Sequence, residues 1–360
     1  MNKPTVQDIF RCFYPAYLEK YSPSPEQAKV ARNILNCKTG AYGANVSVCE
    51  DCGAVQIHYN SCCNRCCPMC QAVPKEMWMD ARREDVLDAP YFHLVFTVPD
   101  ILNPIIYNNQ KLLYDTLYHA ASATISELTA DPKHLGADVG YICILHTWGS
   151  EMNFHPHIHT ILLGGGLTSK NEWKDNGTEF FLPIRAVSKS FRGKYIDELK
   201  HLWNTGQLEF HGTAEKYRNY YVFKDLLDSC YDTEWIPYCK KTFNGAGSVI
   251  DYLGKYTHRI AISNHRIICM DDENVTFSVK DYRNKGQWKE LTLSGVEFIR
   301  RFLMHVPPKR FVRIRHYGLL CSRSKHKKLT LCRNLLGYQK YLSKLRGKEM
   351  PEILKQLYEI

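Results

Sequence analysis

No stretch of this chain approaches the roughly 18 to 20 consecutive apolar residues that a membrane helix needs. Its first residues, MNKPTVQDIFRCFYP, lack both the apolar core and the small-residue cleavage site of a secretory signal. A Walker-type phosphate loop is missing, which removes the usual sequence sign of ATP use, and no internal repeat stands out. Acidic residues are absent from Arg300 to Lys348, a segment with fifteen Lys or Arg. These absences point to a soluble, cytoplasmic protein with no membrane partner. What is present excludes disordered and fibrous classes: 360 residues, 44% hydrophobic, 12% aromatic and 23% charged, enough for two or three domains. The net charge of +10 belongs to the C-terminal segment, since the rest of the chain sums to −5. Like charges so concentrated repel unless a polyanion neutralises them. With Tyr317, Tyr338 and Tyr341 interleaved, the segment suits nucleic acid, whose phosphates meet cations and whose bases stack on rings.

Cysteine is abundant, at fifteen. Nothing directs the chain to an oxidising compartment, so a disulfide framework is not expected. Cys12, Cys143, Cys230, Cys239, Cys269, Cys321 and Cys332 are scattered and read as small buried hydrophobes. The others crowd into NCKTGAYGANVSVCEDCGAVQIHYNSCCNRCCPMCQ. Cys49-x-x-Cys52 and Cys67-x-x-Cys70 can each offer two thiolates from one tight turn, and the fourteen residues between them fit a β-hairpin. The spacing predicts a structural Zn(Cys)4 site on these four. Cys37, Cys62 and Cys66 are candidates for a second zinc with His58 or Cys63 as fourth ligand, or are spare thiols beside one ribbon. Zinc would supply folding energy that so small a segment lacks.

Beyond this module, residues 76–88 read as a helix, YFHLVFTVP (91–99) as a buried strand, and 105–130 as a helix. YICILHTW (141–148) and HPHIHTILLGGG (155–166) read as two more strands joined by a hairpin, which makes the core of an α+β sandwich. Strand alternation puts His155, His157 and His159 on one face. Imidazoles side by side suit a metal site better than a core, because each carries a polar nitrogen to satisfy. If His146 faces His157 across the hairpin, then His146, His157 and His159 converge as ligands with His155 flanking. The ion could be a water-activating zinc, or Mg2+ or Mn2+ on a phosphodiester.

SVIDYLGKYTHRI (248–260) reads as a helix on which Tyr252 and Tyr256, four apart, share a face. Two core aromatics would look the same. Beside a metal cluster, with Lys255, His258 and Arg259 flanking, the pair also suits nucleophilic attack on phosphate, which preserves the ester bond energy for rejoining.

His157-Ile158-His159 resembles the histidine–hydrophobe–histidine motif of the HUH single-strand endonucleases, and the paired tyrosines resemble their two-tyrosine branch. From about Cys37 to about residue 337 the chain resembles the rolling-circle transposases of insertion-sequence family ninety-one. The stretches that carry the likeness are NSCCNRCCPMCQ, PYFHLVFTVP, LHTWGSEMNFHPHIHTILLGGGL, FFLPIRAVSKSFRGK, VIDYLGKYTHRIAISNHRI, VTFSVKDYRNKG and FVRIRHYGLL. The resemblance implies an α+β fold with a central antiparallel sheet carrying the histidines, flanking helices, and a small N-terminal zinc-binding domain. It implies Mg2+ or Mn2+ on His157, His159 and His146, and Tyr252 and Tyr256 as nucleophiles. Single-stranded DNA at the element ends and target DNA are the implied substrates, with Lys255, Arg259, Arg313 and Arg315 as DNA contacts. Host replication machinery would extend the freed 3′-hydroxyl, and the protein would act at the bacterial nucleoid. The family has histidine where this chain has Cys66, and arginine where it has Cys63, which perturbs the zinc ligand set. Replication initiators and relaxases share the chemistry. A zinc-dependent DNA-binding regulator with structural histidines is the competing reading.

The expected layout is a helical and zinc-binding domain over 1–75, a catalytic core over 76–166 and 235–300, an insertion over 167–234, and a basic segment over 301–360. Within the insertion, Arg185, Lys189, Arg192 and Lys194 read equally as a phosphate track or a solvated surface. Residues 265–293 read as a β-meander, followed by a helix capped by Ser294 with Glu297 three residues on.

Overall fold

The computed structural model describes residues 3–175, 177, 182–235, 238–241, 249–250, 252, 254, 260–281 and 286–358. They fall into two compact units. One comprises Met1–Glu76, Thr147–Phe154 and His258–Lys309, and the other Met77–His146, His155–Thr257 and Arg310–Ile360.

In the first unit, α1 (Val6–Lys20) and α2 (Pro25–Asn36) each begin with a reciprocal capping box, Thr5 with Asp8 and Ser24 with Gln27. Such boxes satisfy backbone N–H groups that a helix start leaves unpaired. A two-stranded ribbon follows, β1 (Ala44–Val48) with β2 (Val55–Tyr59). The unit closes with the meander β8 (Ile267–Met270), β9 (Asn274–Asp281) and β10 (Gln287–Ser294), then α8 (Gly295–Met304). Alternation along β9 buries Val275, Phe277 and Val279. Phe277 meets Phe298 of α8 edge-on at 5.6 Å, and Phe302 meets Phe10 of α1 at 5.4 Å. The Ser294 hydroxyl accepts from Glu297 N–H at 3.3 Å, the cap expected from the sequence. Gly295 is obligatory, because a Cβ there would stand 2.1 Å from the Phe13 ring.

The second unit is built on an antiparallel sheet in the order β11–β4–β5–β3–β7: β11 (Ile314–Gly318), β4 (Asp138–Trp148), β5 (Phe154–Leu167), β3 (Tyr91–Thr97) and β7 (Tyr238–Lys241). The short β6 (Trp173–Asp175) pairs with the far end of β5. The described residues also form helices α3 (Ala72–Arg83), α4 (Asn103–Asn108), α5 (Gln110–Ala130), α6 (Ile184–Asn204), α7 (Tyr220–Asp232), α9 (Lys325–Leu336) and α10 (Met350–Tyr358). The expected α+β class, with an antiparallel sheet and flanking helices, is what is observed.

Period-two alternation divides the main sheet. Phe92, Leu94 and Phe96 of β3 are buried on one face, where Phe96 meets Phe191 of α6 at 4.9 Å. A fully buried aromatic of this kind contributes about 1.5–3 kcal/mol. Tyr91 of β3, Ile142 and Ile144 of β4, and Ile161 and Leu163 of β5 share the other face with Val249, Ile250 and Leu329. The helix predicted over 105–130 is broken at Asn109, whose side chain donates to the carbonyls of Ile105 and Glu209 and accepts from Glu209 N–H. Those bonds compete with the helical ladder and start α5 anew.

The basic C-terminal segment is not one solvated run. β11 joins the sheet beside β4. Among the described residues, Arg300 and Arg301 pair with Glu297, Arg315 with Asp115, Lys325 with Asp85, Lys328 with Asp138, and Lys340 and Arg346 with Glu84. Part of this charge is therefore paired with carboxylates, Glu297 nearby and Asp115, Asp85, Asp138 and Glu84 far away in the chain.

Candidate metal centres and tyrosine site

The imidazole cluster follows from the division of the sheet. On β4 the face that carries Ile142 and Ile144 next presents His146. On β5 the face that carries Leu163 and Ile161 runs back through His159 and His157. The donor nitrogens of His146, His157 and His159 all lie within 4.8 Å of one another, and the three side chains are at most 9% exposed. His157 Nε2 and His159 Nε2 are 3.1 Å apart. The His157 Nδ1–H donates to the His155 carbonyl at 2.7 Å, which fixes its tautomer and leaves Nε2 for an ion. His155 is not in the cluster; its Nδ1 lies 3.2 Å from Asp100 Oδ1.

A fourth histidine stands beside these, and sequence reasoning overlooked it. His93 of β3 is 5% exposed, and its Nε2 lies 2.9 Å from His159 Nδ1, the two rings nearly parallel at 5.2 Å. The Tyr252 hydroxyl lies 2.8 Å from His93 Nδ1 and 2.9 Å from its Nε2. Burial holds the His93 pKa down at about 4, so the ring is neutral at physiological pH. Alternation was the available signal: within YFHLVFT, His93 shares its face with Tyr91 and lies next to the β5 register of His159. Tyr252 is half-buried and helical, along with Val249, Ile250 and Gly254. Lys255, Tyr256, His258 and Arg259 lie outside the described residues.

The cysteines assemble differently from the predicted set. Cys37, Cys62, Cys67 and Cys70 bring their sulfurs within 4.8 Å of one another, whereas Cys49 and Cys52 lie outside this cluster, solvent-exposed in the turn of the β1–β2 ribbon. Ribbon length explains the difference. The base is pinned by Lys38 N–H to Asn60 O at 3.1 Å and Asn60 N–H to Gly43 O at 3.0 Å, which brings Cys37 and Cys62 together. Five strand residues then carry the turn about 16 Å away. Backbone N–H groups surround the buried sulfurs: Cys62 N–H points to Cys37 Sγ, Asn64 N–H to Cys62 Sγ and Met69 N–H to Cys67 Sγ, at 3.4–3.5 Å. S–H donation from Cys67 lowers Cys70 to about 5, burial pushes Cys62 up to about 12, and Cys67 is raised further by its proton bond to Cys70. Four convergent thiols in a small segment fit a closed tetrahedral zinc site. Cys66 is half-buried outside the four, and Cys63 is exposed with φ of 51°.

Of the two described cations expected on DNA, Arg315 is engaged by side chains of the protein and Arg313 is held through its backbone. The Arg315 guanidinium lies 4.0 Å over the Tyr118 ring and pairs with Asp115, and with Lys111 and Arg310 it lines an open cleft. Arg313 accepts through its carbonyl from the Tyr118 hydroxyl and from Leu145 N–H. No helix among the described residues is long and apolar enough to cross a membrane.

Comparison with known proteins adds the following. A family model described as "Transposase zinc-binding domain" matches residues 9–98, and one described as "Putative transposase" matches residues 140–328. The chain is 41% identical over 336 residues to "Putative transposase y4qJ" of Sinorhizobium fredii, an alignment covering 93% of this chain and 84% of the relative. It is 30% identical over 302 residues to "Transposase for insertion sequence element IS801" of Pseudomonas savastanoi pv. phaseolicola, covering 82% of this chain and 71% of the relative. No solved structure matches it.

Proposed function

This chain belongs to the transposases of insertion-sequence family ninety-one, with an N-terminal zinc-binding domain, and we propose that it cleaves and rejoins single-stranded DNA through tyrosine–phosphate esters in rolling-circle transposition. The observation that carries this reading is the contact of the Tyr252 hydroxyl with His93, itself hydrogen-bonded to His159 of the imidazole cluster. A phenol held against a buried histidine that is itself bonded to the imidazole cluster has little use in a passive DNA-binding protein.

Three imidazoles within 4.8 Å, one with its second nitrogen bound to a carbonyl and one with it bound to His93, fit a divalent transition ion, so that Mn2+ would be held more tightly than Mg2+. Once bound, the ion would offset the charge of the scissile phosphodiester. If His159 presents Nε2 to the ion, its Nδ1–H donates to His93 Nε2. Neutral His93 then carries its own proton on Nδ1 and donates it to the Tyr252 oxygen, which stabilises the phenolate as the phenolic proton leaves to solvent. The Tyr252 oxygen attacks phosphorus and forms a P–O bond. The bond to the preceding sugar breaks, and its 3′ oxygen leaves with the electron pair and takes up a proton. The products are a 5′-phosphotyrosine and a free 3′-hydroxyl, which host replication can extend. Tyr256, four residues on in the sequence, is proposed as the second nucleophile, and the 3′-hydroxyl reverses the ester at rejoining.

His157→Ala tests this reading against a passive DNA-binding role. Strand cleavage with Mn2+ should disappear while binding of the same labelled strand, measured by mobility shift, stays within about twofold. Cleavage undiminished in His157→Ala would rule the mechanism out.

A further inference from the structure

The β1–β2 ribbon is left unexplained by this mechanism. Its register pairs Ala44 with Tyr59, Val46 with Ile57 and Val48 with Val55, so six apolar residues share one face, while Asn45, His58, Ser47 and Gln56 occupy the other. That apolar face is uncovered: Val46, Val48, Val55 and Ile57 are each more than half exposed, and Tyr59 is 49% exposed. A solvent-facing ribbon normally alternates polar residues outward, and a contiguous apolar patch marks a contact surface.

The tip of the same ribbon holds half of a metal site. Cys49 and Cys52 are exposed in a turn where Gly53 has φ of +70°. Among the described residues, no third Cys, His or carboxylate joins these two in a cluster. A closed structural zinc site takes four donors.

We propose that two copies of this chain join through their β1–β2 ribbons, with Cys49 and Cys52 of each copy completing one tetrahedral zinc site between the two tips. A two-fold axis through the ion doubles two donors to four, and the same operation brings the two apolar faces into one self-complementary contact. Glu50 and Asp51 share the turn, so the tips repel without the ion and assembly depends on zinc. This site is separate from the buried Cys37, Cys62, Cys67 and Cys70 cluster. It needs no DNA, so its failure would leave the proposed chemistry untouched.

The test is zinc content with solution mass, by light scattering on the zinc-loaded full-length chain. The expected wild type is a dimer that holds one more zinc per pair of chains than Cys49→Ser with Cys52→Ser does. The double variant should be a monomer that keeps the zinc of its buried cysteine cluster, which reports that this cluster still folds. Val46→Lys with Ile57→Lys keeps the thiols but should weaken dimerisation at least about tenfold. A wild-type monomer, whether it holds one zinc per chain or two, overturns the proposal. So does a dimer that the paired serine substitution leaves intact.

Discussion

His93→Phe isolates the link between the tyrosine and the metal cluster. Phenylalanine keeps the ring volume in a position only 5% exposed, so the sheet should pack as before. What disappears is the 2.9 Å bond to His159 Nδ1 and the contact with the Tyr252 hydroxyl at 2.8 Å. Losing a partner that orients a metal-bound histidine typically costs about 10–100-fold in metal affinity or activity. That range corresponds to about 1.4–2.7 kcal/mol. The assay is the initial rate of single-strand cleavage as a function of Mn2+ concentration, with Tm measured alongside. The half-saturating Mn2+ should rise, the maximal rate should fall, and Tm should hold or increase, because a buried neutral imidazole has been replaced by a hydrocarbon. A curve superimposable on the wild type, in a variant that still folds, would refute the assigned role of His93 and with it the relay to Tyr252.

Stability should decline with acid in two stages. Burial holds His93 and His305 at about 4, so the unfolded chain takes up protons there first; stability present above pH 6.5 is lost as the pH falls toward 4, and His305→Leu should flatten that slope in denaturant titrations. Glu297, held at about 2 chiefly by Arg300 and then Arg301, adds a loss that begins near pH 4.5 and continues downward, which Glu297→Gln should remove. Phe277→Ala, which empties the contact with Phe298 in the first unit, should lower unfolding free energy by about 3–5 kcal/mol in urea. Cys62→Ala should release the buried zinc and expose the 37–70 segment to limited proteolysis, whereas Cys269→Ala, at an exposed scattered thiol, should do neither.

Periodicity explains which features were legible in the sequence. Alternation along HPHIHTILL is a local property, so it placed His157 and His159 on one strand face, and a short hairpin made His146 their natural neighbour. The meander and the Ser294 cap were equally local, set by turn residues and one hydroxyl. The predicted zinc set differs from the four thiols that the fold brings together because CxxC spacing reports which thiols share a turn and not which turns meet. That choice depends on closure of the ribbon base by Asn60 and Lys38, a long-range event with no periodic trace. His93 escaped notice because a single histidine in a strand of Phe, Leu and Val looks like a core residue until the neighbouring strand is in register. The ion pairs of the C-terminal charge run were illegible for a similar reason: its partners Glu84, Asp85, Asp115 and Asp138 lie far upstream, where sequence alone does not pair them.

Covalent capture tests the central claim most directly. The purified protein would be mixed with end-labelled single strands spanning both ends of its element, with Mn2+, Mg2+ or EDTA, and resolved on a denaturing gel. The account predicts a metal-dependent protein–DNA band that carries the label on the 3′ side of the break, weakens with Tyr252→Phe or Tyr256→Phe alone, and vanishes when both are changed. A folded, zinc-loaded protein that binds those strands and yields no such band, or yields one undiminished in the double variant, would contradict it.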